Sequence, residues 1–133
     1  MPEKLVGGYS LEDAREWATN LTGAIQTGEY KADAASWIAG MDLSDAKGTA
    51  LKFAQDANMF VCSTVLKGGD SAVEGTDLGG EYYEKALPIF TQQIAKGGYR
   101  LAAWLNMIAT GSSGLDSSKL LKRERPWERM CGR

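Results

Sequence analysis

Histidine is absent from all 133 residues of this chain. That removes the commonest metal ligand and the side chain that ordinarily titrates near neutrality. No Ser-His-Asp or Cys-His arrangement can be built. Cysteine is scarce: Cys62 and Cys131 form no Cys-x-x-Cys pair, which excludes the usual zinc and redox spacings. The two thiols could pair with each other, and spacing alone does not decide it. Cys62 falls on an apolar helical face, which favours a buried, inert thiol. No apolar run approaches the roughly 18 residues needed to span a bilayer. The longest candidates lie near Met59–Leu66 and Ala86–Phe90. The start, Met1-Pro2-Glu3-Lys4-Leu5, lacks the apolar block of a signal peptide, so the chain reads as soluble and without an export signal. There is no strand-length alternation rich in Val, Ile and Thr, no internal repeat, and no Gly-rich loop followed by Lys-Ser or Lys-Thr.

What is present reads as one all-α domain. The hydrophobic share is 44% and the charged share 24%, both ordinary for a globular protein. The length is enough to bury roughly 70% of the surface exposed by the unfolded chain. Ser10 is placed to cap a first helix, with Asp13 as its capping-box partner. Ala14, Trp17, Ala18, Leu21, Ala24 and Ile25 then recur at helical spacing, and Gly28 marks the stop. A short second helix is expected over Tyr30–Ile38, ended by Gly40. A third, capped by Ser44, is expected from Asp45 to about Leu66, striped by Ala46, Ala50, Phe53, Ala54, Ala57, Phe60, Val61 and Val65.

Residues Lys67–Gly80 hold five glycines and read as a surface loop. Its acids Asp70, Glu74 and Asp77 do not have calcium-loop spacing. A fourth helix is expected from Glu81 to about Thr110. Its buried stripe is read as Tyr82, Tyr83, Ala86, Ile89, Phe90, Ile94, Leu101, Ala102, Leu105 and Ile108. Pro88 should kink or break its first turns. Gly97-Gly98 costs about 1 kcal/mol per glycine in a helix interior, and so marks a hinge or a close approach of another helix. Domain boundaries follow: 1–110 as the helical domain and 111–133 as a linker-like Gly-Ser-Ser-Gly start and a basic tail.

The net charge of −2 is split unevenly along the chain. From Lys119 to Arg133, Lys119, Lys122, Arg123, Arg125, Arg129 and Arg133 oppose only Glu124 and Glu128, leaving that stretch at +4 and everything before it at −6. Such an end can meet phosphates, an anionic membrane or a protein partner, or be a solvated tail. Trp127 is its candidate exposed aromatic. Trp17, Trp37, Phe53, Phe60, Tyr82, Tyr83, Tyr99 and Trp104 mostly share faces with aliphatic residues, so core packing accounts for them better than base stacking. Asp42 and Asp45 flank a helix start, where acids favour the positive dipole end, and need no catalytic role. Arg100 is placed to meet a phosphate or a buried carboxylate. Asn20-Leu21-Thr22 is a glycosylation sequon, relevant on a secretory route.

Several stretches occur in a familiar order: Gly7-Gly8-Tyr9-Ser10, Trp17-Ala18, Ala35-Ser36-Trp37-Ile38, Ala57-Asn58-Met59-Phe60-Val61-Cys62 and Gln93-Ile94-Ala95-Lys96-Gly97-Gly98-Tyr99-Arg100-Leu101-Ala102-Ala103-Trp104-Leu105-Asn106. Over roughly Pro2–Ala109 the chain resembles the C-terminal part of the zinc-dependent single-strand nucleases of fungi and plants, the S-one/P-one type. The resemblance implies part of a phospholipase-C/nuclease-like helical fold in a secreted, disulfide-bearing, often glycosylated hydrolase. Such endonucleases carry three zinc ions, cleave single-stranded DNA and RNA to 5′-phosphorylated products, and also act as 3′-nucleotidases.

The family's ligands are an N-terminal tryptophan, histidines and aspartates, the last of them just before the segment matching Glu3-Lys4-Leu5. None has a counterpart here. No catalytic, cofactor-binding or metal residue is therefore assigned, and no zinc is expected for this chain alone. Cys62 matches a family cysteine whose disulfide partner lies in the missing N-terminal half. The resulting expectation is a truncated, inactive nuclease piece, with single-stranded nucleic acid and that N-terminal half as its implied partners. The alternative is a non-catalytic helical binding protein that uses its basic tail.

Overall fold

A computed structural model describes residues 6–115; Met1–Leu5 and the basic tail, with Trp127 and Cys131, lie outside the described residues. Those residues are all-α, with three main helices and no strand among them. The first, α1, spans Leu11–Gln26 and begins as its sequence dictates. The Asp13 amide donates to Ser10 Oγ at 3.0 Å, and the Ser10 amide donates to Asp13 Oδ2 at 3.0 Å. This reciprocal box satisfies two of the amides that a helix start leaves without partners. At the other end, the amides of Thr27 and Gly28 both return to the Gly23 carbonyl.

Where a second α-helix was expected over Tyr30–Ile38, the chain makes turns and then a 3₁₀ segment, Ala34–Ile38. No side chain caps it, since Asp33 makes no capping bond. The tighter winding eclipses positions three apart, so Ala34 and Trp37 share one face, and both are buried.

Helix α2 spans Ala46–Phe60. Its cap is Asp45, whose carboxylate accepts from the Gly48 amide at 2.9 Å, not Ser44. Ser44 is engaged by the preceding turn instead, donating through both its amide and its hydroxyl to Asp42 Oδ1. Thr49, fully buried, ties this turn to the helix: its Oγ1 accepts from the Asp42 amide and donates to the Asp42 carbonyl. The expected continuation to Leu66 is wider than an α-helix. Val61–Val65 is a π segment, with the Leu66 amide reaching the Val61 carbonyl at 2.7 Å. Gly68 and Gly69, both at φ +92°, then turn the chain away through a left-handed conformation that favours glycine.

After a loop with a short 3₁₀ turn, Asp70–Ala72, the longest helix, α3, covers Glu81–Thr110. It ends at Gly111, φ +74°, whose amide donates to the Met107 carbonyl. Pro88 neither breaks nor ends it. The proline forfeits one amide, and the helix continues for more than five turns beyond it.

The core is small: Ala34, Trp37, Ala95 and Tyr99, ringed by Leu21, Ile25, Tyr30, Ile38 and Leu115. Trp37 is its centre. Its ring lies 5.6 Å from that of Tyr30 and 5.8 Å, edge-on at 89°, from that of Tyr99. Such aromatic pairs add roughly 0.5–1.5 kcal/mol beyond their buried area. The expected buried stripes need correction. On α3 the buried residues are Ala86, Ala95, Lys96, Tyr99 and Ala103, whereas Phe90, Ile94, Leu101, Leu105 and Ile108 face outward. On α2 the stripe alanines Ala50, Ala54 and Ala57 are exposed, and Phe53 and Phe60 are half-buried. Helical periodicity locates an apolar face, but the number of such faces here exceeds what the described elements can cover.

Candidate functional site

The densest polar constellation joins α2 to α3. Asp56, near the end of α2, faces two cations one helical turn apart on α3. Lys96 Nζ donates to Asp56 Oδ1 at 3.1 Å and to Oδ2 at 3.2 Å. Arg100 Nη2 donates to Asp56 Oδ2 at 2.6 Å, while its Nε donates to the Trp37 carbonyl at 2.9 Å. The side chains keep only 24%, 10% and 13% exposure for Asp56, Lys96 and Arg100. Two aromatic faces complete the enclosure: Arg100 lies 4.2 Å from the Phe53 ring centre and Lys96 lies 5.6 Å from that of Phe60.

Burial works against the Asp56 carboxylate, but hydrogen bonds from Arg100 and Lys96, reinforced by their charges, outweigh it. The carboxyl is held below its ordinary pKa. Arg100 thus meets a carboxylate, the second of the two partners its position allowed. Two cations share one anion, so the cluster is net positive. Its chemistry is that of a fastener, since an ionised, doubly paired carboxylate is a poor proton acceptor and touches no nucleophile.

A zinc centre needs three or more converging N, O or S donors. Among the described residues no group of three or more His, Cys, Asp or Glu side chains is placed to hold a metal ion, so the zinc implied by the family resemblance does not fit these residues. The loop acids Asp70, Glu74 and Asp77 are exposed; Asp70 and Asp77 accept from backbone amides of Ser71 and Gly79. Asp42 is likewise turned inward to its own turn: the Ser44 hydroxyl and amide hold its carboxyl below the usual range. Asp45 is the cap of α2. Both acids are structural, as their position at a helix start implied.

Of the aromatic residues, Trp37 and Tyr99 are core; Trp17, Phe53, Phe60, Tyr82, Tyr83 and Trp104 are half-buried. Burial raises the Tyr99 phenol's pKa, and its hydroxyl donates to the Leu115 carbonyl at 3.2 Å. Asn20 is exposed on α1, inside a helix, not a loop. Cys62 corrects the sequence reading: it is exposed in the π segment and makes no disulfide among the described residues. No helix of the described residues is long and apolar enough to cross a membrane. Open grooves flank α3. One of about 610 Å³ lies against the π segment and the loop, and one of about 350 Å³ between α1 and α3, lined by Trp17, Leu21, Ile94 and Tyr99. Another, of about 220 Å³, lies between α2 and α3 beside Phe53, Leu101 and Trp104.

The Asp56–Lys96–Arg100 cluster was missed by sequence reasoning. The pairs are separated by 40 and 44 residues. The signal available was only that charged residues interrupt two apolar helical faces, between Phe53 and Phe60 on one and beside Tyr99 on the other.

Comparison with known proteins then places this architecture. The family described as S1/P1 Nuclease matches residues 1–110. The chain is 50% identical over 113 residues to Nuclease S1 of Aspergillus oryzae, a match covering 85% of this chain and 39% of that protein. It is 45% identical over 108 residues to Nuclease P1 of Penicillium citrinum and, to the same extent, to Nuclease PA3 of a Penicillium species; each match covers 81% of this chain and 40% of the relative. The chain therefore spans about two-fifths of the length of these relatives.

Proposed function

Since this chain belongs to the S1/P1 nuclease family, we propose that it is the scaffold portion of a zinc-dependent single-strand nuclease and carries none of the catalytic ions itself. The observation that carries this reading is the combination of a family match with an empty ligand inventory. Residues 1–110 match the family, yet histidine is absent throughout and no metal-holding group exists among the described residues. In such an enzyme clustered zinc ions supply hydroxide and neutralise charge on the phosphoryl group under attack. The chemistry proposed for the whole is hydrolysis of single-stranded DNA and RNA to 5′-phosphorylated products, with 3′-nucleotidase activity, in a secreted glycoprotein.

This chain's own residues do something else. The Asp56–Lys96–Arg100 fastener and the Trp37 core hold α3 in a fixed relation to α2 and the 3₁₀ segment. Cys62, exposed and without a disulfide among the described residues, is available to a cysteine on the missing half. Residues 1–110 form the nuclease-matching unit, and 111–133 follow as the basic tail, whose first residues, up to Leu115, return to the core.

The test is cleavage of a fluorescent single-stranded DNA by the purified chain, alone and after co-expression with the N-terminal three-fifths of the Aspergillus relative. The reading predicts no cleavage by the chain alone and zinc-dependent cleavage by the pair. Cleavage by the chain alone, abolished by a zinc chelator, would refute it. The charge of +4 over Lys119–Arg133 supports a second reading, a non-catalytic protein binding nucleic acid, an anionic membrane or a protein partner through its tail. Salt-sensitive binding of single-stranded DNA that disappears in a chain ending at Ser118 would establish its nucleic-acid form.

A further inference from the structure

The outward face of α3 has a regular design. Ile94, Gly98, Leu101, Leu105 and Ile108 follow one another at steps of four, three, four and three, the spacing that lays a seam along one side of a helix. The seam is exposed: Phe90 47%, Ile94 41%, Leu101 60%, Leu105 56% and Ile108 64%. The area of these five side chains is on the order of 500 Å², the size of the largest apolar patch on an ordinary monomer, where such patches mark interaction sites.

Gly97 and Gly98 lie at its centre, and neither is explained by the described residues. Both have ordinary negative φ, so the backbone does not call for glycine. A Cβ built at either position meets nothing within 4 Å, so no neighbour in the described residues calls for it either. Two adjacent glycines in a helix interior weaken that helix. The remaining physical reason for them is close approach by a backbone that is not among these residues.

We infer that this face of α3 is the seat of a helix from the portion of the nuclease that this chain does not contain, crossing α3 at Gly97–Gly98 with its aliphatic side chains between Ile94 and Leu101. The inference rests on the proposed function and names the partner surface that function requires. Three observations select this occupant. The seam lies within residues 1–110, the family-matched part, while the chain spans only about two-fifths of its relatives. Exposed apolar residues also lie on α2 (Leu51, Met59) and α1 (Leu11), more surface than one helix pairing covers. Self-pairing along α3 would bury on the order of 1,000 Å² in total, the lower limit for a specific complex, and would leave those residues in water. Of the two readings the sequence left for Gly97-Gly98, a hinge or a close approach, we take the second, since a close crossing accounts for both glycines in one place.

The test uses the full chain co-expressed with the affinity-tagged N-terminal three-fifths of the Aspergillus oryzae relative, with Gly98→Leu and Leu101→Lys as variants. Melting of each purified chain alone, followed by circular dichroism, controls for folding. The wild-type chain should copurify in equal proportion with the tagged partner. Each variant should be captured at least tenfold less, while Gly98→Leu alone melts no lower than wild type, because the space above Gly98 is open. Undiminished capture of Gly98→Leu overturns the inference, and so does failure of the wild-type chain to copurify. An isolated chain that sediments as a dimer, and as a monomer once Gly98 is replaced, makes a second copy the occupant and overturns it as well. Restored DNA cleavage with capture insensitive to both variants removes this surface but leaves the proposed function standing. Glycine-dependent capture without any cleavage does the reverse.

Discussion

Replacing Asp56 by asparagine isolates the largest electrostatic commitment in the fold. The carboxylate answers two cations, at 3.1 and 3.2 Å from Lys96 Nζ and 2.6 Å from Arg100 Nη2. At an effective dielectric of about 20, one such contact at 4 Å is worth roughly 4 kcal/mol before desolvation is subtracted. Removing the anion from a buried pair costs roughly 3–5 kcal/mol because the cation is stranded. Here two cations are stranded and repel each other, but Asp56 keeps 24% exposure and asparagine retains one acceptor. The lower end, about 3 kcal/mol, is therefore expected. Against a total stability of about 5–15 kcal/mol that is a large share, and it lowers Tm by about 10 °C.

Urea denaturation followed by tryptophan fluorescence reads the difference directly. Its pH dependence has a fixed sign. The folded pKa of Asp56 is depressed, so its contribution is complete above the unfolded value of about 3.9 and is lost as pH falls through the folded one. Wild type and variant should differ fully at pH 7 and converge below about pH 4. A difference under about 1 kcal/mol at pH 7 would mean that water screens the cluster as it does a surface pair. A gap of equal size at pH 7 and at pH 2 would deny that the carboxylate's charge is responsible.

Trp37→Ala should cost about 3–5 kcal/mol, because it removes the centre of a small core, and should abolish the near-UV circular dichroism signal; a loss below about 1 kcal/mol would contradict the packing. Ser10→Ala should cost about 1 kcal/mol, appearing as faster amide exchange confined to the first turn of α1; unchanged exchange there would show the capping box is not formed. In a Cys131→Ser variant, Cys62 should react with Ellman's reagent as fast in the native chain as in denaturant; protection in the native state would restore the buried thiol that periodicity suggested.

What the sequence disclosed was local chemistry. The Ser10–Asp13 box, the limits of α3 at Glu81 and Thr110, and the glycine-rich loop from Lys67 to Gly80 all follow from residues within a few positions of each other. The cap of α2 was misread by one residue because Ser44 and Asp45 are both good caps, and the choice fell to the turn in which Asp42 claims Ser44. The 3₁₀ segment around Trp37 was read as an α-helix because nine residues carry too few periods to distinguish the two windings. Burial was the least legible property. Half of the α3 stripe expected inside, Phe90, Ile94, Leu101, Leu105 and Ile108, is outside, while Ala86 is buried as expected, since periodicity reports an apolar face but not whether a partner for it is present. The Asp56 fastener depends on contacts 40 and 44 residues apart, which local patterns cannot register. The candidate site was legible mainly as an absence, that of histidine, while the family resemblance was legible in five stretches, above all Gln93–Asn106.

The central claim, that a nuclease scaffold is present here without the ions that do its chemistry, is tested most directly by the metal content of the chain. After purification without chelators and dialysis against micromolar zinc, elemental analysis should find well under one zinc ion per chain, with no change in Tm on adding EDTA. Three tightly held zinc ions per chain, with a Tm that collapses when they are stripped, would contradict the account.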